Sequence, residues 1–233
     1  MNTPHQALNT LHPFGDNIWA VRIDLNMGPI NISTQMTIVR LPDQSLILLS
    51  PVTINSTLKA AINALGTVSH IVSPNNFHHL YANDAILAFP NAQYVCSNSL
   101  SKRIKSLPQH IDLHTLSTST WQNQLEIIRV SPSHMGDEVV FFHKESKTLI
   151  ITDLFQCITG KVNVATRIFA CLAGVRNNFG ISRLFKTMIK NKQEFKDSFE
   201  HMQRWEYNTV LLPHNTNITK DAKQAVQHAI DKL

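Results

Sequence analysis

Apolar positions recur every second residue through much of the first 155 residues, which predicts strands, and take a helical period beyond them. "NIWAVRIDL" (17–25) reads as a strand. "QMTIVRL" (35–41) and "SLILLSPV" (45–52) flank "PDQ", a turn signal, and so predict a hairpin. Over 55–66 the period changes. Leu58, Ala61, Ile62 and Leu65 share one helical face, Asn55 or Ser56 can cap the start, and Gly66 follows the end. Strands are predicted at 68–75, 92–97 and 124–131, helices at 81–90 and 98–107, and a strand–turn–strand at 137–155 with "KESK" at its tip. The segment 158–205 is mainly helical in pattern, 208–215 is a late strand, and 219–233 is a closing helix with Thr219 as its N-cap. Paired strands followed by alternating strands and helices imply an α/β fold in which helices cover sheets. No linker divides the chain, so 1–233 is expected to form one domain with 158–205 as a helical insertion.

Composition narrows the classes. With 43% apolar and 16% charged residues over 233 positions, the chain can build a sizeable core. No apolar run approaches the roughly 18 residues of a membrane span. The opening "MNTPHQALNTLHPFGDN" lacks a basic stretch followed by an apolar one, so no signal peptide is expected. Three scattered cysteines, Cys96, Cys157 and Cys171, do not make a disulfide framework, and a cytoplasmic location is expected. Seven glycines with no glycine-rich loop argue against nucleotide binding of the P-loop or Rossmann kind.

The net charge of +5 is unevenly spread. Between Lys161 and Lys196 there are eight Lys or Arg residues against one acid, Glu194. Such a segment suits a small anionic substrate, a nucleic acid or a membrane surface, and the plain alternative is a solvated helix face. The segment lacks interleaved aromatics, and Phe169, Phe179 and Phe185 read equally well as core residues, which leaves only weak support for nucleic acid. "GVRNNFGISRLFKTMIKNKQEF" (174–195) alternates apolar and basic steps and predicts an amphipathic helix over the candidate site or on a membrane surface.

Candidate metal ligands fall just after predicted strands: His78 and His79 after 68–72, His134 after 124–131, Asp153 at the end of 148–152, and His214 after 208–212. Strand-end loops bring distant segments to one rim, and imidazole with carboxylate is the usual donor set of zinc and of non-haem iron or manganese. Twelve histidines make chance placements common, so each lone one also reads as a loop residue. His143 falls on a strand face and reads as structural, and Glu138 reads as a strand-edge carboxylate or as an acceptor for a ligand histidine. Ser146 and Thr148 read as hairpin residues, and His110 and His114 are not a helical pair because Pro108 and β-branched neighbours oppose a helix.

This order of ligands resembles the metallo-β-lactamase superfamily. More narrowly, "MTIVRLPDQSLILLSPV" (36–52), "LGTVSHIVSPNNFHHLY" (65–81) and "EVVFFHKESKTLIITDLF" (138–155) resemble its DUF4336 branch. The resemblance implies a four-layer αββα sandwich with a metal site along one edge between the sheets. The superfamily signature is His-x-His-x-Asp-His. Aligned on its last histidine at His79, it puts Pro74 and Asn76 at the first two histidine positions and His78 at the aspartate. One of the two metal positions is thereby lost, and the other keeps His79, Asp153 and His214, with His78 replacing an acidic ligand and His134 at the open face. Asn215 stands where the superfamily has glycine after the late histidine.

The resemblance therefore implies a metal-dependent hydrolase with one metal, or a catalytically inactive member serving as a binding module. A nuclease-like role comes third. Zinc is the first expectation, iron or manganese the alternatives, and a metal-free protein the remaining case. No catalytic residue is assigned beyond these ligands.

Overall fold

A computed structural model describes residues 8–113, 115, 121, 123–133, 136–214 and 216–233. The first sheet has seven strands in sequence order: β1 (Leu11–Pro13), β2 (Ile18–Met27), β3 (Ile30–Arg40), β4 (Ser45–Leu49), β5 (Thr67–Ser73), β6 (Gln93–Cys96) and β7 (Ile111–Asp112). Strands β1 to β4 pair antiparallel, and β4 to β7 pair parallel. Parallel neighbours need crossovers, and these are α1 (Ser56–Asn63), α2 (Ala82–Ala88) and α3 (Asn98–Arg103). The second sheet has the order β11 (Thr209–Leu211), β10 (Thr148–Ile150), β9 (Gly136–His143), β8 (Leu125–Ser133). Only β10 and β11 are parallel in it. The remaining helices are α4 (Val164–Ala173), α5 (Arg183–Thr187), α6 (Lys192–Gln203) and α7 (Ala222–Asp231).

Three apolar clusters define four layers. Ile18, Val39, Ile47, Leu49, Val72 and Val95 of the first sheet meet Leu125, Val139, Phe141, Ile150 and Leu211 of the second. The outer face of the first sheet buries Ile38, Leu48 and Ile71 against Leu58 and Ile62 of α1, Ala85 of α2 and Leu100 of α3. The outer face of the second buries Val140, Phe142 and Leu149 against Phe185 of α5, Phe195, Phe199 and Met202 of α6, and Val226 and Ala229 of α7. Both sheets are thus apolar on both sides, as an αββα sandwich requires. A fourth, smaller cluster sets Ala170 and Ala173 of α4 on Ile32 of β3.

Local chemistry explains the boundaries. Asn55 accepts from the Leu58 amide and starts α1, as the sequence predicts. The turn after β3 carries Gln44 at φ 66° and is braced by Asp43, whose carboxylate accepts from the Ser45 amide. The closing helix begins later than expected. Thr219 is not its cap; the helix opens after Asp221, which has φ 51° and no capping side-chain bond. The β2–β3 hairpin is longer than the alternation suggests. Its pairing continues past the predicted strand end at residue 25 to Met27 and Ile30, across a Gly28-Pro29 tip. The segment 158–205 holds α4, α5 and α6, but 174–195 is not one amphipathic helix: Gly174 ends α4 at φ 76°, and α5 is only 5 residues long. Among the described residues no helix is long and apolar enough to cross a membrane.

Candidate metal centre

The parallel runs of the two sheets end at one edge of the sandwich, and the loops leaving β5, β10 and β11 converge there. His78 follows β5, Asp153 follows β10 and His214 follows β11. One donor atom from each lies within 4.8 Å of the others. His78 Nε2 stands 3.4 Å from Asp153 Oδ2, and His214 Nε2 stands 3.2 Å from Asp153 Oδ1. The two rings are tilted by 33° with centroids 5.5 Å apart. His78 and Asp153 are buried, and His214 is half-buried.

The surroundings fix this arrangement. Asn75 forms a turn in which its side-chain oxygen accepts from the Phe77 and His78 amides, at 3.0 and 2.9 Å. Its amide nitrogen donates to Asp153 Oδ2 at 2.7 Å and to Glu138 Oε1 at 2.9 Å. Glu138, on β9, is buried and also accepts from the Thr152 hydroxyl. Burial, and then the charge of Asp153, push the Glu138 carboxyl well above the ordinary carboxylate range. Burial alone would raise Asp153 too; the nearby imidazoles of His78 and His214 together outweigh it and hold that carboxyl far below its usual value.

His214 Nδ1 bonds the Ser33 carbonyl at 2.8 Å, which requires a proton on that nitrogen. In the neutral ring Nε2 then carries a lone pair aimed at a carboxylate oxygen. Two acceptors 3.2 Å apart repel unless the ring is doubly protonated or a cation lies between them. Behind Ser33 lies a polar network built on the buried Arg22 of β2. Its guanidinium donates to Ser33 Oγ at 2.7 Å and to Gln35 Oε1 at 2.6 Å, and Asn217 bonds Gln35 in turn at 3.0 Å. Burial lowers the Arg22 pKa to about 10, so it stays charged at neutral pH. The network ties the long hairpin to the loop that carries His214.

The donors fit a metal ion. Two imidazoles and a carboxylate suit zinc, iron or manganese, and a tetrahedral ion with bonds of about 2.0–2.1 Å spaces its ligands about 3.3 Å apart, close to the two histidine–aspartate separations of 3.4 and 3.2 Å. Among the described residues the buried His78 Nε2 has no hydrogen-bond partner, and the Asp153 oxygen stands 3.4 Å from it.

Of the five predicted ligands, the fold brings together His78, Asp153 and His214. His79 lies outside this cluster. It is half-buried, with its pKa lowered chiefly by burial. In the turn set by Asn75, consecutive side chains diverge, and His78 is the one that faces Asp153. His134 and Asn215 lie outside the described residues, as does His114. Pro74 and Asn76, aligned above with the first two histidines of the superfamily signature, supply no imidazole there. His143 is fully buried and bonds Ser146 Oγ at 2.7 Å, a hairpin brace as its strand position suggests. Among the described residues Glu138 receives Asn75 and Thr152 and no ligand histidine. The pivotal role of Asn75 was signalled only by an asparagine placed to form a turn, and those of Ser33 and Arg22 by nothing local.

An αββα sandwich with histidine and aspartate donors at the strand-end edge defines a protein of the metallo-β-lactamase fold. Solved structures agree. A metallo-β-lactamase from Pontibacter korlensis superposes with a TM-score of 0.66 at 14% identity, covering 96% of this chain and 99% of that one. The metallo-β-lactamase FIM-1 from Pseudomonas aeruginosa, in its mono-zinc form, gives 0.64 at 14% identity over 98% and 97%. A fragment of a putative diflavin flavoprotein from Nostoc sp. PCC 7120 gives 0.61 at 10% identity over 95% of each chain. The family described as "Domain of unknown function (DUF4336)" matches residues 15–178, and the chain belongs to it. No curated protein sequence matches.

Proposed function

We propose that this protein is a metal-dependent hydrolase that holds a single ion between His78, Asp153 and His214. The observation that carries this reading is the meeting of three donors from three separate strand-end loops. When bound, zinc, iron or manganese would activate water and polarise an ester or phosphoester oxygen. The chain's own residues do the rest. Ser33 fixes the tautomer of His214, and Asn75 holds Asp153 while Glu138 holds Asn75. Phe77 and Leu80, exposed beside His78, offer apolar contact, and Arg103 lies over the Phe77 ring at 5.5 Å. A cation at that rim, with the basic segment 161–196, favours a small anionic substrate over a neutral one.

Pro74 and Asn76 favour a second reading, a fold member that keeps one ion for binding without catalysis. Element analysis of protein purified without a histidine tag tests the first claim. About one equivalent of zinc, iron or manganese is expected, and less than about a tenth contradicts it. A filled site that hydrolyses no member of an ester and phosphoester panel selects the binding reading.

A further inference from the structure

Helix α4 has apolar side chains on two opposite faces. Thr166, Ala170 and Ala173 are buried on one. Val164, Ile168 and Leu172 recur four residues apart on the other and are 74%, 55% and 69% exposed. A helix apolar on all sides is normally covered on all sides. The patch extends beyond the helix. Leu184 of α5 is 55% exposed, and Arg183 beside it donates to the Leu172 carbonyl at 3.4 Å. At the other end Asn163 donates to the Pro29 carbonyl, which brings the β2–β3 tip, with Met27 46% exposed, to the start of α4.

Cations rim this patch. Lys161 precedes the helix, Arg167 lies along one edge of the exposed face, and Arg183 stands at its far end; all three are exposed. Seven Lys or Arg residues and no acid occur from 154 to 193. We infer that this face docks on an anionic lipid bilayer, with Val164, Ile168, Leu172, Leu184 and Met27 entering the interface and Lys161, Arg167 and Arg183 meeting lipid phosphates. A second copy fits less well. A two-fold contact through α4 would set these cations against their own images, with no acid in the segment to pair them. The inference is independent of metal binding.

Vesicle co-sedimentation of the full chain tests it, comparing phosphatidylcholine alone with a mixture containing about one-third phosphatidylglycerol. The wild type is expected to bind the anionic vesicles at least about tenfold better, and less as salt rises. The double substitution Ile168→Asp, Leu172→Asp is expected to abolish binding, and Lys161→Glu with Arg167→Glu to reduce it about tenfold or more. All these positions are exposed, so circular dichroism and Tm should match the wild type. No binding of wild type to anionic vesicles overturns the inference, as does unchanged binding by the folded Asp variant. A concentration-dependent dimer that the Asp variant loses, without vesicle binding, assigns the face to self-association instead.

Discussion

Asn75 shows how much one side chain can decide here. Its oxygen shapes the turn that aims His78, and its nitrogen holds the Asp153 carboxylate against Glu138. Asn75→Ala leaves two buried carboxyl groups short of a donor. It is expected to lower stability by about 1–3 kcal/mol and metal affinity about 10–100-fold. Asn75→Asp keeps the shape but turns a donor into a third clustered carboxyl group, so it should destabilise more than alanine does at neutral pH. Denaturant melts of the two variants check the order. His143 offers a test away from the site. Burial pushes its pKa below the ordinary imidazole value of about 6.5, so below that pH the unfolded chain takes the proton first. Stability is therefore intact above about pH 6.5 and is lost as pH falls through it. His143→Gln should flatten the fall in Tm between about pH 7 and pH 5, and an unchanged slope contradicts this account.

At the scale of elements, the site depends on β9 starting close beneath the His78 loop. Gly136 opens that strand at φ 108°, and a Cβ there would collide with the Asn76 amide and the Ser99 hydroxyl. Gly136→Ala is expected to destabilise by about 1–3 kcal/mol and to weaken metal binding together with it, measured by melts with and without added zinc. Most elements were legible in the sequence because alternation and caps are local: Asn55, the "PDQ" turn and the "KESK" tip each announce themselves. What escaped was long-range. The outer half of the β2–β3 hairpin hides behind Gly28-Pro29, and β7 has only 2 residues and no period to read. The choice of His78 over His79 depends on a bond from Asn75 to a strand that comes over sixty residues later, which no spacing encodes.

Across the whole molecule, the two sheets share an inter-sheet core and each carries its own helical cover. Phe199→Ala, beneath α6, should cost about 3–5 kcal/mol, and Ile62→Ala, under α1 on the opposite layer, about 2–5 kcal/mol. If the chain is one domain, each lowers a single unfolding transition, and two separate transitions would divide the layers. The candidate metal centre stands where both sheets end, so its three donors can meet only in the assembled sandwich. Anomalous X-ray scattering from metal-loaded crystals tests that claim most directly. The account predicts one peak about 2.0–2.2 Å from His78 Nε2, His214 Nε2 and an Asp153 oxygen. A peak held by His79 in place of His78, or no peak between these residues at full loading, would contradict it.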